Sequence, residues 1–247
     1  MNHDGMLKGK RVFVMGGGRF GTNALKYLAA KDAKVLVADL NPDCIASSKV
    51  DVKATDVGAI NSLADGQIAL LVDDAVDSLL LLLEKMVPEL VVTAIPRNAV
   101  ARLVENWLSN RGYSFKPYPA AVSRVLDNIP KSLVSFVDEP SAVIVVSYMP
   151  PNMRCRDDCM PPKGFCATTG RPKLAPMDKI LEFAVHNQTD VSKIFCSKQL
   201  TGGLGAIDGK ELHSLLERLE TQQTPFTLTV GTACDCHGVL NLAKITK

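Results

Sequence analysis

Short apolar runs alternate with amphipathic stretches through the first half of the chain. Val12, Phe13 and Val14 are continuously apolar, as in a strand covered on both faces. Phe20, Ala24, Tyr27 and Leu28 then repeat at helical spacing, and residues 34–39 return to a strand pattern. The rhythm predicts a third strand at 50–56 and a short helix at 58–63. Residues 68–72 read as a strand end or a buried loop. A helix is predicted at 74–87, with Asp73 or Asp74 as its cap and Pro88 just beyond its end. A fourth strand at 89–95, a helix at 97–110 bearing Trp107, and a fifth short strand at 113–116 complete this half.

Such alternation predicts an α/β fold, with a doubly wound parallel Rossmann sheet over residues 1–117. Pro117-Tyr118-Pro119 marks the junction to a smaller α+β, cysteine-rich domain at 118–247. There the pattern predicts a helix at 120–128 and strands at 133–137 and 142–148, joined as a hairpin. Residues 149–176 carry Pro150, Pro151, Pro161, Pro162, Pro172 and Pro176, a composition that builds neither helix nor central strand. A loop of that length in a compact domain is usually functional or disordered. Further on, a helix at 177–187, a strand at 192–196, a loop at 202–205 and a helix at 210–221 are expected. A strand at 226–230 and a short terminal helix at 239–245 close the chain.

With 247 residues, 47% of them hydrophobic, the chain is long enough for two real cores. A net charge of +2 makes no global case for nucleic acid or a membrane surface. The leucine run at 79–83 is too short to span a bilayer, which takes about 20 apolar residues. With no signal peptide in view, the expectation is a soluble cytoplasmic protein.

Chemistry enters first at Gly16, Gly17, Gly18, Arg19, Phe20 and Gly21, which spell G-x-G-x-x-G between a strand and a helix. Gly16 serves the tight turn, Gly18 lets backbone approach a pyrophosphate, and Gly21 lets helix and strand pack closely. Backbone N–H groups at the helix start meet the phosphate charge. Asp39 ends the second strand, where a carboxylate accepts hydrogen bonds from both ribose hydroxyls and repels a 2′-phosphate. NAD(H) is therefore expected over NADP(H). The bland alternative is a glycine turn without a ligand, with Asp39 as a turn residue. Ala94 and Pro96, beyond the fourth strand, are placed to wall the nicotinamide side or to form a plain strand-to-helix turn.

The run Gly-Gly-Gly-Arg-Phe-Gly-Thr-Asn-Ala-Leu-Lys-Tyr-Leu, with Val-Lys-Ala-Thr-Asp at 52–56, resembles the NAD-binding domain of the TrkA-like potassium-transport regulators. The resemblance covers about residues 10–60. It implies a Rossmann fold, nucleotide binding, and Asp56 as an acid reaching toward the adenine. It does not extend to channel regulation, since residues 120–247 are unlike that family's ligand-sensing domain. Other Rossmann proteins, including saccharopine-reductase-like ones, share the same features.

The second half holds six of the seven cysteines, and Cys44 stands alone in the first. Cys155, Cys159 and Cys166 lie in the proline-rich loop, and Cys234 and Cys236 precede His237 between glycines. Without a secretion signal, clustered thiols point to metal or redox chemistry rather than disulfides. Three close cysteines and a distant fourth fit a four-iron (4Fe–4S) cluster better than zinc, whose structural sites favour paired C-x2-4-C. Cys155, Cys159 and Cys166 are the expected ligands, with Cys234 or Cys236 as fourth and Cys196 or His237 behind them. Two other readings stay open: reduced cysteines acting as small hydrophobes, and a Cys234–Cys236 redox pair tuned by His237. Arg154, Arg156, Lys163, Arg171 and Lys173 make the loop basic, yet no aromatic interleaving suggests nucleic acid.

These signals predict an NAD(H)-binding oxidoreductase with a cysteine-ligated metal or iron–sulfur centre. The alternatives are an NAD(H)-sensing regulator with a structural metal, and a nucleotide-binding subunit of a redox complex. The expected partners are the nucleotide, a redox partner protein and further copies of the chain. No general acid or base declares itself, through either a Ser-His-Asp or a Lys-Tyr pattern.

Overall fold

A computed structural model describes residues 7–96, 98–150 and 153–247. Residues 1–6, the expected helix start at Arg97, and Pro151 and Asn152 of the long loop lie outside the described residues. The fold is mixed α/β, with two sheets and two compact units. One unit comprises residues 1–99 and 204–214, and the other residues 100–203 and 215–247.

Unit 1 contains β1 (Arg11–Met15), α1 (Arg19–Ala29), β2 (Lys34–Asp39), β3 (Val52–Ala54), β4 (Ile68–Val72), α2 (Ala75–Lys85) and β5 (Leu90–Thr93). These five strands are mutually parallel. Their order, β5-β1-β2-β4-β3, places later strands on both sides of β1. Strands β1, β2 and β4 are apolar without alternation because both faces are covered; Val12–Val14, Val35–Val37 and Leu70 are fully buried. Helix α1 supplies Leu25 and Leu28 to one core, and α2 supplies Leu79 and Leu82. Asp74 caps α2, accepting hydrogen bonds from the Val76 and Asp77 amides at 2.7 and 3.1 Å.

Two sequence expectations change here. The strand beside β2 is β4, the segment read as a strand end or buried loop, and the predicted third strand shrinks to the edge strand β3. Its exposed Val52 and Lys53 suit an edge, where little core is on offer. Within 202–205, the expected loop gives way at Leu204 to a strand, β11 (Leu204–Asp208), which pairs antiparallel with β5. That strand leads into α6 (Gly209–Glu220).

Unit 2 contains α3 (Ala99–Ser109, all but its first residue), β6 (Ser114–Pro117), α4 (Val122–Asp127), β7 (Val134–Asp138), β8 (Val143–Ser147), α5 (Met177–Val185), β9 (Val191–Cys196), β10 (Lys198–Thr201), β12 (Phe226–Ala233) and β13 (His237–Thr246). Its sheet runs β7-β8-β13-β12-β9, with β6 also paired to β13. The expected fifth strand of the parallel sheet is thus an antiparallel neighbour of β13. The expected terminal helix at 239–245 is β13 itself. Gly238 and Leu240 are buried between more open neighbours and Leu242 continues the alternation, so period two wins over the helical reading. Helices α4 and α5 cover the sheet through Val122, Val125, Leu181, Ala184 and Val185, packed with Ile144, Val146, Ile194 and Leu240. A side chain at Gly238 would meet Leu181, so the glycine lets α5 approach β13 closely.

Among the described residues, no helix is long and apolar enough to cross a membrane.

Candidate functional site

In unit 1 the chain leaves β1 at Gly16, whose φ of +94° favours glycine. A Cβ there would press within 3.0 Å of Ile95 Cγ2 and 3.2 Å of the Ala94 carbonyl oxygen. At Gly21, in the first turn of α1, a Cβ would overlap the Gly16 carbonyl oxygen. Gly18 differs: nothing lies within 4 Å of where its Cβ would stand. It is the N-cap of α1, which opens without a side-chain cap and without an acidic residue in its first turn. The helix start therefore presents backbone to open space with no acidic residue in its own first turn.

Asp39 stands at the carboxyl end of β2, next to that turn. One carboxylate oxygen accepts the Gly17 amide at 2.6 Å and the other accepts Asn41 at 2.8 Å. A carboxylate offers about four lone-pair sites. Two are used, so capacity for two hydroxyl donors is left. Exposed apolar side chains surround this carboxylate in sequence and register: Leu40 follows it, Val72 pairs with it across β4, and Ile45 opens the 3-10 turn whose Ala46 amide bonds Gly17 O at 2.9 Å. Cys44 is buried against Gly17, as a small hydrophobe would be. Arg19 stacks its guanidinium over exposed Phe20 at 5.0 Å.

Asp56 caps the 3-10 turn Val57–Asn61, accepting the Gly58 amide at 2.7 Å, beyond the edge strand β3. Sequence reasoning weighed Asp73 only as a helix cap, yet it directly follows β4 beside β2, and its amide bonds Asp39 O at 3.1 Å. Its carboxylate takes the Asp74 amide at 2.8 Å and the Ser78 hydroxyl at 3.3 Å. The signal was an acid at the end of an apolar run, in the segment not read firmly as a strand. Ala94 bonds Met15 O through its amide at 3.0 Å, so it adjoins the glycine turn, and Pro96 is exposed two residues on.

In unit 2 the long loop and the β12–β13 hairpin meet. Cys234-Asp235-Cys236 forms the turn between β12 and β13, closed by the Cys234 amide on His237 O at 2.9 Å. The Cys236 amide donates to the Cys234 sulfur at 3.4 Å, and His237 Nδ1 lies 3.8 Å from that sulfur. A second knuckle surrounds Cys166: its amide bonds Arg171 O and its carbonyl accepts Gly170, both at 2.8 Å, beside a Phe165–Pro172 bridge. Hydrogen bonds hold the residues that flank the long loop, and its end, near the hairpin. Tyr148 N donates to Cys236 O at 3.0 Å, Met177 N to Asp235 O at 3.2 Å, and Tyr148 Oη to Ala175 O at 2.8 Å.

The thiols consequently interact. Burial pushes Cys155 up to about 11, helped by a hydrogen bond with Cys159 and by the charges of Cys159, Cys236 and Cys166. Burial also raises Cys236, against a hydrogen bond from Lys173. Burial is the largest influence on Cys166 too, but donors from Thr169 and Thr168 and the charge of Lys173 outweigh it, and the thiol is lowered. Burial holds the His237 imidazole below its ordinary value. Cys196, at the end of β9, instead faces Asp178, Asp235, Lys179 and Lys198. Among the described residues, no group of three or more His, Cys, Asp or Glu side chains is placed to hold a metal ion.

A protein of Archaeoglobus fulgidus, described only as an uncharacterized protein, is 29% identical over 231 residues, which cover 94% of this chain and 98% of the relative. No solved structure matches. The resemblance to the TrkA-like regulators is overturned: the family models that match are the two halves of another family, and no TrkA-like NAD-binding family is found. The run at 10–60 contains what any strand–glycine turn–helix–strand unit requires, which explains the likeness without kinship. The model described as "Uncharacterized protein, N-terminal domain" (AF_1314_N) matches residues 12–96, and its C-terminal counterpart (AF_1314_C) matches residues 100–246. The chain belongs to this AF_1314 family.

Proposed function

We propose that this chain is an NAD(H)-binding oxidoreductase, with the nucleotide held by a Rossmann-type unit 1 and a cysteine-ligated metal centre held by a cysteine-rich α+β unit 2. The observation that carries the reading is the junction of the open Gly18 position with the Asp39 carboxylate. Strand neighbours diverge from β1 to β2 and β5, and in open α/β sheets ligands sit beyond the carboxyl ends of strands where the order reverses. Gly16–Gly21, Asp39 and Ala94 all occupy that edge of unit 1.

The residues present fit the dinucleotide. The α1 start receives a pyrophosphate at Gly18, where no side chain intrudes. Asp39 keeps two acceptor sites for ribose hydroxyls and repels a 2′-phosphate. Leu40, Ile45 and Val72 offer an apolar surface for an adenine ring. Bound nicotinamide supplies or accepts a hydride; the chain's own part in unit 1 is to bind and orient it.

Titration of the full chain with NADH and NADPH tests the reading, followed by NADH oxidation with an artificial electron acceptor. Binding of NADH with turnover is expected. Binding without turnover would make the chain an NAD(H)-sensing protein, and absence of binding would remove the nucleotide from the account.

A further inference from the structure

We propose that the Cys234-Asp235-Cys236 turn is a thiol–disulfide exchange site, with Cys234 as the attacking thiol, Cys236 as the resolving thiol and a low-molecular-weight disulfide as co-substrate. The inference goes beyond the reading above and needs neither the nucleotide nor a metal. The pairing of the thiols comes from the hairpin itself. β12 and β13 set Ala233 against Gly238, and the Cys234 amide bonds His237 O at 2.9 Å, so a tight turn carries both cysteines. Residues two apart in such a turn keep their Cα atoms inside the limit of about 7 Å for a disulfide. The Cys234 sulfur is folded over the turn, 3.4 Å from the Cys236 amide nitrogen, next to the residue that carries the second thiol. The surrounding backbone is pinned. Tyr148 N donates to Cys236 O at 3.0 Å, Met177 N to Asp235 O at 3.2 Å and Ser197 N to Ala233 O at 2.7 Å. Joining the sulfurs is therefore a matter of side-chain rotation with little backbone movement.

The two thiols differ in the way exchange requires. Cys234 is half-buried, within reach of a disulfide from solvent, whereas Cys236 is buried. The amide that points at the Cys234 sulfur favours its thiolate form. His237 Nδ1 lies 3.8 Å from the same sulfur, where a neutral imidazole can take the thiol proton. In the first step Cys234 passes its proton to His237 and attacks one sulfur of the disulfide. A mixed disulfide forms on Cys234, the co-substrate S–S bond breaks, and the leaving thiolate takes the proton back from His237. In the second step the Cys236 sulfur attacks Cys234. The Cys234–Cys236 bond forms, the mixed disulfide breaks, and the second thiolate leaves with the proton that Cys236 gives up. The dithiol is oxidised by two electrons and one disulfide is reduced to two thiols, and excess thiol drives the same steps in reverse.

The test incubates the reduced, chelator-treated full chain with glutathione disulfide, blocks the remaining thiols with iodoacetamide and maps the modified cysteines by peptide mass spectrometry. The expected product is a Cys234–Cys236 disulfide, and in the reduced chain Cys234 should be alkylated at least about ten-fold faster than Cys236. Cys236→Ser should arrest the reaction with glutathione on Cys234, and Cys234→Ser should carry no glutathione on Cys236. His237→Gln should slow the first step by at least about ten-fold and leave the product unchanged. Circular dichroism of each variant identifies any loss due to unfolding, and mapping of the unsubstituted chain decides the matter without them. Glutathione on Cys236 ahead of Cys234, a Cys155–Cys159 disulfide in place of the hairpin one, or no exchange at the hairpin would overturn the assignment. Repeating the incubation after equimolar zinc separates this role from the metal-centre half of the proposed function. Hairpin thiols that still react support exchange, whereas zinc that blocks both, and is lost in Cys234→Ser, would make them metal ligands and overturn it. NADH titration of the same samples reports on the nucleotide half separately.

Discussion

The two candidate sites are assembled by different means. Around the glycine turn of unit 1 the work is done by backbone and by absent side chains: Gly16 turns, Gly21 lets α1 meet β1, Gly18 leaves space, and one carboxylate receives an amide. In unit 2 the work is done by side chains carried on a loop with little regular structure and on a hairpin turn far along the chain. The first design tolerates almost no added atoms. The second depends on a hairpin turn and a loop far apart in the chain, the residue before the loop being held by a bond from Tyr148 N to Cys236 O. A backbone site is therefore best probed by adding a methyl group, and a side-chain site by removing a functional atom.

The largest effect is expected at Gly21→Ala. Its Cβ would overlap the Gly16 carbonyl oxygen, a backbone atom that cannot yield cheaply, so a stability loss of about 3 kcal/mol or more is expected in denaturant unfolding. A loss below about 1 kcal/mol would show that the turn is slacker than this contact implies. Next is Asp39→Ala, which removes charged-acceptor hydrogen bonds to Gly17 and Asn41 and should cost about 2 kcal/mol together with NADH affinity. Gly18→Ala isolates ligand binding from folding. With nothing within 4 Å it meets no clash, and the loss of glycine at the N-cap should cost no more than about 1 kcal/mol. Its methyl group would stand where the pyrophosphate must approach, so NADH affinity should fall about ten-fold, or about 1.4 kcal/mol. Equal NADH affinity in the variant and the parent would remove Gly18 from the site.

In unit 2, Thr169→Val deletes a hydroxyl donor to Cys166 and should weaken metal retention in a chelator competition by about ten-fold. The smallest effect concerns the Arg11–Glu89 pair, in which Glu89 accepts the Arg11 amide at 2.7 Å and its guanidinium at 2.8 Å. Burial pushes Glu89 up, but the Arg11 bonds and charge outweigh it, and the carboxyl is held below its ordinary value. A carboxylate depressed in the folded state contributes stability above its unfolded value, and loses that contribution as pH falls through the folded one. The pair is about one-third exposed, with side-chain exposures of 34% and 33%, so no more than about 1 kcal/mol is expected. Glu89→Gln should flatten the acid limb of a stability–pH curve below the ordinary glutamate range; an unchanged limb would show that the pair contributes nothing.

Much of unit 1 was legible because its signals are contiguous. The apolar strand, the glycine spacing and Asp39 fall within one short segment, and the cap at Asp74 follows from its position before an apolar helix. The role of β4 was not, since an apolar run of five residues has no periodicity to tell a central strand from a buried loop. Asp56 entered through the resemblance to the TrkA-like regulators, and Asp73 was weighed only as a helix cap because the strand before it was not read firmly. In unit 2 the cysteines were visible as candidates, but the hairpin turn that carries Cys234 and Cys236 was hidden by the helical reading of 239–245. Alternating burial at Gly238, Leu240 and Leu242 is the pattern that reading overlooked.

Equilibrium titration of the full chain with NADH, repeated with NADPH and with the Gly18→Ala chain, tests the central claim most directly. The account predicts saturable binding of one NADH per chain, at least about ten-fold tighter than NADPH and weakened about ten-fold by Gly18→Ala. Binding of NADPH as tightly as NADH, or no binding of either, would contradict it.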